Sequence, residues 1–324
     1  MTRIAKAAST LAALGVLAAC GDTLPKGSKI EKTRTIGARV EVGADPSVAW
    51  PRPGEHVRVT WMVVEPGEPK PLAWAFAACA ALPLRTGEGQ CAGGGAVPIL
   101  GTARPPVLEL DVPDAATLAG ARSVLVAGAI CADGTPTFDP RTMSASCSGA
   151  DAETMLVTLS IPITPTDGEP NHNPSLDDDE LLLADAAWPA PADAAALPLE
   201  GCAEGAPDPA VPRIAVTAGS QTLTLRLHGD DRETYTATIG DPPRTESLRE
   251  AIQFSHFTTG GTLERQFSII EGADTRDAPE VTLDWDPPLA ADVSARGTLA
   301  RFFFVSRDQR GGVAFTTRAV CVTP

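Results

Sequence analysis

From residue 35 onward, apolar side chains recur at every second position, the spacing that turns one face of a strand into a core and the other toward water. Val57, Val59, Trp61 and Val63 alternate with Arg58, Thr60 and Met62, and Leu108, Leu110 and Val112 alternate with Glu109 and Asp111. Met155, Val157, Leu159, Ile161 and Ile163 alternate with Leu156, Thr158, Ser160 and Pro162. The stretch from Ser123 to Cys131, SVLVAGAIC, is apolar on both faces, as expected of a central strand covered on both sides. Pro51-Arg52-Pro53-Gly54, Pro66-Gly67-Glu68-Pro69 and Gly93-Gly94-Gly95 separate these runs and read as turns. The pattern predicts an all-β domain over 35–163.

Residues 164–175, TPTDGEPNHNPS, hold three prolines and lack apolar periodicity, which marks a linker. Beyond it, short strands are expected at Leu181 to Asp185, at Ile214 and Val216, and at Leu223 to Leu227 after an Ala/Pro-rich excursion. More are expected at Ala251 to Thr258, Phe267 to Ile270, Val281 to Trp285, Leu299 to Arg307 and Val313 to Val322. Strands at intervals of roughly a dozen residues are what a sandwich requires, so a second β-sandwich is predicted over 176–324. A short helix over Glu246 to Ile252 is the one departure the pattern admits.

Composition supports this picture. With 30 prolines and 29 glycines the chain is punctuated too often for long helices. Besides Cys20 there are six cysteines, Cys79, Cys91, Cys131, Cys147, Cys202 and Cys321. Were the chain exported to an oxidising compartment, an even set would read as three disulfides. Spacing favours Cys79 with Cys91, Cys131 with Cys147, and Cys202 with Cys321; a bridge between Cys79 and Cys131, joining two sheets of one sandwich, stays open. No CxxC pair occurs and no histidine neighbours a cysteine, so no metal is expected.

The chain begins with Arg3 and Lys6, then an apolar stretch from Ala7 to Ala19 that ends in Leu17-Ala18-Ala19-Cys20. The stretch is shorter than the roughly 20 residues of a spanning helix. It resembles a bacterial lipoprotein signal peptide. That resemblance implies cleavage before Cys20, a diacylglycerol on its thiol, and a mature protein moored to a membrane. Gly21 stands where the family carries an aspartate for inner-membrane retention, which points to the outer membrane. Residues 1–19 are then the signal peptide and 20–34 a disordered tether. Cleavage removes two of the 26 basic residues, Arg3 and Lys6, and none of the 41 acidic ones, so the formal charge moves from −15 to −17. Such an acidic balance argues against nucleic acid or anionic lipid as a partner, since both demand clustered Lys and Arg.

Near the C-terminus, Trp285-Asp286-Pro287-Pro288, Gly297, Phe302 to Gly312 (FFFVSRDQRGG) and Arg318 to Val322 follow one another. Together they are similar to the final hairpin of bacterial immunoglobulin-like domains of the polycystic-kidney-disease and cadherin-like type. The similarity extends loosely over 171–324 and implies an immunoglobulin-like topology for the second sandwich; with the first sandwich read from its periodicity, two tandem immunoglobulin-like sandwiches are expected. Asn171-His172-Asn173-Pro174 is similar to the linker entering cadherin-like repeats but lacks the paired aspartates that hold calcium there.

Few residues suggest chemistry. The run Asp177-Asp178-Asp179-Glu180 could offer oxygen ligands to Ca²⁺, and four consecutive acids on a strand entry instead alternate in direction, as a solvated charge run does. His228-Gly229-Asp230-Asp231-Arg232 places a base beside carboxylates but reads as a turn. Gly93-Gly94-Gly95 lacks the Lys-Ser/Thr of a phosphate loop, and neither HExxH nor GxSxG occurs. The loop from Ala132 to Ser146, with Phe138 and Met143, reads first as a plain insertion and is the first candidate for a contact surface. The chain is therefore expected to be a lipid-anchored envelope protein without cofactor or enzymatic activity, meeting another envelope protein or a polysaccharide. A solute-binding lipoprotein or an anchored hydrolase are the rivals.

Overall fold

The computed structural model describes residues 26–82, 90–91, 98–139, 142, 144–176, 180–199, 201–202, 208–228 and 231–324. Cys20, Gly93 to Gly95, Met143, Asp177 to Asp179, Gly229 and Asp230 lie outside these described residues.

The alternating runs fold into two β-sandwiches. In the first, β1 (Arg34–Val42), β2 (His56–Val64) and β6 (Val107–Asp111) form one sheet in the order β1-β2-β6. The facing sheet has the order β10-β7-β3, from β10 (Glu153–Pro162), β7 (Ser123–Ala132) and β3 (Leu72–Leu82). The short β4 (Gln90–Cys91) and β5 (Ile99–Gly101) extend β3. The inward positions meet around Trp61, Phe76 and Trp74, whose rings stack at 4.1 and 4.8 Å. A hairpin of β8 (Thr135–Asp139) and β9 (Ser144–Ser148) rises between β7 and β10.

In the second sandwich, β11 (Leu181–Leu183), β12 (Ala186–Ala187), β14 (Gln221–Arg226), β18 (Thr262–Leu263) and β20 (Glu280–Asp286) form a sheet in the order β12-β11-β14-β20-β18. Opposite it lie β13 (Arg213–Ala215), β22 (Val313–Thr323), β21 (Thr298–Arg307), β17 (Ile252–Thr258) and β19 (Phe267–Ile270), in that order. A second hairpin, β15 (Thr234–Ile239) with β16 (Arg244–Arg249), projects between β14 and β17. Trp188, Trp285 and Phe302 pack edge to face at 5.0 Å in the core. Both sandwiches repeat one connectivity. The neighbours β1-β2-β6 and β3-β7-β10, like β11-β14-β20 and β17-β21-β22, hold the places of immunoglobulin strands A-B-E and C-F-G.

The sandwiches are packed on one another. Phe303, Val305 and Phe257 face outward from the β22-β21-β17 sheet and close against Ile36, Met62 and Val64 of the first sandwich. Residues 26–33, assigned by composition to the tether, are seated here as well. Ile30 is 1% exposed, its amide donates to Thr258 O (2.8 Å), and Thr258 donates back to Ser28 O (2.9 Å). Burying one isoleucine and pairing two backbone groups outweighs the polar composition of the segment.

Several elements differ from the sequence pattern: a short helix spans Ala115–Leu118, and the stretch expected as a loop from Ala132 to Ser146 carries β8 and the start of β9. Glu246 to Ile252 is no helix, because β16 takes residues 244–249 and pairs with β15 along its whole length. Ladder bonds to β15 override a helical propensity that is weak over so few residues. Strand β3 was hidden by its alanines, which carry no β preference; it is nonetheless paired on one side with β7 and on the other with β4 and β5.

The disulfides join Cys79 to Cys91, Cys131 to Cys147 and Cys202 to Cys321. Cys79 and Cys131 cannot bridge sheets, because β3 and β7 are neighbours in one sheet, where Cys79 faces Leu125 and Cys131 faces Ala73. The bond from Cys202 to Cys321 spans 119 residues and fastens the long excursion after β12 onto β22. Replacing both cysteines with alanine is expected to lower unfolding stability by about 5 kcal/mol, as loop-closure entropy predicts. Chemical denaturation of the oxidised proteins checks this.

Candidate functional site

The turn joining β21 to β22 lies where the sandwiches meet. Asp308 is buried there, and its Oδ1 accepts from the amides of Arg310 (2.7 Å), Gly311 (2.9 Å) and Gly312 (2.9 Å). Its Oδ2 accepts from Asn171 Nδ2 of the linker at 2.6 Å. A carboxylate satisfied from both sides defines the turn and ties the linker to it. Gly312 is required by close approach: a Cβ would lie 2.3 Å from Asp308 Oδ2 and 2.5 Å from His172 O. The linker is stapled further by Asn173, which donates to Val40 O (2.7 Å) and accepts from the Val313 amide (2.9 Å).

The turn projects Arg310 between two aromatic rings. Its guanidinium lies 4.9 Å from the ring centre of Trp50, in the first sandwich, and 4.4 Å from that of Tyr235, on β15. Trp50 Nε1 donates to Arg310 O at 2.9 Å, so side chain and backbone are held by one residue. Arg310 Nη1 also donates to Glu233 Oε2 (3.0 Å) and Glu250 Oε1 (2.7 Å), and His172 Nδ1 pairs with Glu233 Oε1.

One guanidinium thus faces two glutamates, with Asp308 close behind. Burial pushes the Glu250 carboxyl up to about 7, Asp308 adds to the rise, and the bond from Arg310 opposes it. Burial raises Asp308 too, against the lowering effect of its own hydrogen bonds. The negative charge here exceeds what Arg310 neutralises.

Above this floor lies a cleft of about 850 Å³ between linker and β15. Trp50 and Tyr235 form its aromatic walls, and Asp167, Glu169, Glu233 and His172 supply polar groups. Such a lining can stack a flat apolar face and accept hydrogen bonds around it.

The residues singled out from sequence fall elsewhere. The acidic run leaves Glu180 buried, with its carbonyl accepting from Arg226 N, and Asp177 to Asp179 outside the described residues. The Asp231 carboxylate accepts from the His228 amide, with Gly229 and Asp230 outside the described residues. Arg232 points inward and donates to Glu271 O (2.9 Å) and Asp274 O (2.8 Å). Phe138 is half-buried, whereas Thr135, Thr137, Ser144, Ser146 and Ser148 form the exposed face of its hairpin. Among the described residues no group of three or more His, Cys, Asp or Glu is placed to hold a metal. His256 and Ser268 lie 3.1 Å apart, but inside the sandwich, where burial lowers the histidine to about 3 and Arg265 also donates to the serine hydroxyl.

Sequence reading passed over Trp50, Glu233, Tyr235 and Glu250, which are scattered over 200 residues. The available hints were a tryptophan beside Pro51, the one tyrosine of the chain, and an arginine inside a Gly-Gly turn.

No protein-family model matches this sequence, and no curated protein is similar to it. Among solved structures, the chain is similar to the crystal structure of red sea bream transglutaminase, at 13% identity and a TM-score of 0.23. The match covers 92% of this chain and 32% of that one, so the chain spans about a third of its length. The matched protein is an enzyme, against the expectation of a chain without enzymatic activity, and that expectation is withdrawn. A likeness this slight carries no argument for a transglutaminase reaction or any other.

A carboxyl raised to about 7 in the folded state, against 4.5 as its ordinary value, binds its proton more tightly when folded. The stability it contributes is fully present below about pH 4.5 and is lost as pH rises through 7. Buried neutral His256 acts oppositely below 6.5, so the informative quantity is the difference between wild type and Glu250→Gln. That difference is expected to shift in favour of wild type by about 3 kcal/mol as pH falls from 8 to 4.5. Urea unfolding of both proteins at the two pH values checks it.

Proposed function

We propose that this chain is a lipid-anchored protein of the bacterial envelope that holds a polysaccharide segment in the cleft between its two sandwiches. The observation that carries the binding role is the stack of Arg310 between Trp50 and Tyr235. It joins residues of both sandwiches into one rigid wall, so the cleft is preformed and little ordering is required of the protein on binding. A sugar ring presents an apolar face to an aromatic wall and hydroxyls to its surroundings. Glu233, Asp167 and Glu169 are placed to accept from those hydroxyls, or from the ammonium of an amino sugar. The volume of about 850 Å³ falls within the range of small-ligand sites, which favour domain boundaries.

The anchor is supported by the arrangement of Arg3, Lys6, the apolar stretch and Leu17-Ala18-Ala19-Cys20. Three disulfides agree with an oxidising compartment outside the cytoplasm. Acyl chains each contribute about 0.8 kcal/mol per buried methylene, so two or more hold a protein durably.

Cys20→Ser is expected to abolish acylation and to release the protein from detergent-phase partition; unchanged partition sinks the anchor. Trp50→Ala is expected to weaken retardation in gels containing envelope polysaccharide by about tenfold, in keeping with loss of one aromatic platform. Unaltered migration, with the fold intact by circular dichroism, sinks the glycan reading.

A further inference from the structure

A second hollow, of about 320 Å³, lies along the seam of the two sandwiches and shares no lining residue with the cleft around Trp50 and Tyr235. One of its walls is the outer face of the second sandwich. Gln253, Ser255 and Phe257 alternate along β17 onto that face, and Arg307 of β21 stands opposite Gln253 in the ladder, so the two side chains share the face. The other wall is the start of β1, whose Arg34 lies 4.8 Å over the Phe257 ring. Gln266, the residue before β19, also lines the hollow.

The hydrogen bonds of both arginines end on neutral oxygens. Arg307 donates to Ser255 Oγ (2.8 Å) and Ile36 O (2.6 Å), and Arg34 donates through Nη2 to Gly27 O (2.8 Å) and Lys29 O (3.3 Å). Arg34 Nε is buried without a partner. Burial holds both guanidiniums below the ordinary arginine range, and Glu31 counteracts it at Arg34 alone. Among the described residues no acid lines the hollow. Cations drawn from water without a counter-charge are costly for a fold to keep. Elsewhere in the molecule Arg104 and Arg310 are each met by a glutamate. The overall negative charge of the protein is not decisive here, since charges more than about 8 to 10 Å away are largely screened at physiological salt.

We infer that Arg34 and Arg307, with the side-chain amides of Gln253 and Gln266, form a binding site for a phosphate group, as the free ion or as an ester on a sugar. A guanidinium is a planar fork that meets phosphate oxygens in pairs. Two forks from different strands, joined by two amide donors, suit a tetrahedral anion with oxygens on every side better than a flat carboxylate. Phe267, 49% exposed on the lining, offers an apolar face to the organic part of an ester. Because Arg34 belongs to the first sandwich and Arg307 to the second, a phosphate held by both also fastens the seam and stabilises the folded chain.

The test is isothermal titration of the purified whole chain with inorganic phosphate and with glucose 1-phosphate. Saturable binding of one phosphate per chain is expected. Tighter binding of the sugar ester assigns the site to an ester, and tighter binding of the inorganic ion assigns it to the free anion. Gln253→Glu sets a carboxylate beside Arg307 and leaves the bonds of both arginines in place; it is expected to weaken phosphate binding by about tenfold or more, and Arg34→Gln to do the same. Thermal unfolding gives a second readout: phosphate is expected to raise the midpoint of the wild type and to leave that of both variants where it stands without phosphate. Absence of binding by both probes, or phosphate binding that Gln253→Glu leaves undiminished, overturns the site.

Discussion

A strand that is apolar on both faces needs cover on both sides, and β21 imposes that requirement on the whole molecule. Ala300, Phe302 and Phe304 enter the core of the second sandwich, while Phe303 and Val305 leave it on the other side. Left in water, that outer face would expose several large apolar side chains, each costing roughly 1.5 to 3 kcal/mol against burial. The first sandwich supplies Ile36, Met62 and Val64 as the cover, and Ile30 fills the rim. The two domains are therefore bound side by side rather than strung on a flexible linker.

That packing decides the character of the junction. Once the sandwiches are fixed, the backbone groups of the linker must find partners within the interface. Ala49 N donates to Asn171 O, Asn173 N to Ser47 O, and Asp308 gathers three amides of its own turn. Charge drawn into this region has to be matched. Arg310 is matched by Glu233, Glu250 and two aromatic faces, and the acid excess is accommodated by the raised carboxyl of Glu250. The cleft exists because the β15–β16 hairpin and Trp50 stand on either side of this matched group.

The residues that look most reactive on paper are engaged in local structure. Asp231 and Asp308 serve backbone amides, and Arg232 caps carbonyls. Short polar side chains next to glycine offer turns a ready set of hydrogen bonds. The same residue types in a catalytic site need convergence from distant segments. That convergence occurs at Trp50, His172, Glu233, Tyr235 and Arg310, none of which is close to all the others in the chain.

The sequence by itself determined the all-β class, because a period of two is written directly into runs such as Val57 to Val63 and Met155 to Ile163. It also carried the strand-to-strand turn at Asp308-Gln309-Arg310-Gly311-Gly312, where glycines and a turn-capping aspartate act within a few residues. The alanine-rich β3, the β15–β16 hairpin and the seating of residues 26–33 were decided by the tertiary structure. Each depends on a partner that pairs or packs with it and that cannot be read from its own composition. The cleft was decided there too. Local periodicity records which face of a strand is buried, whereas a site is a meeting of side chains whose separation in sequence says nothing of their distance in space.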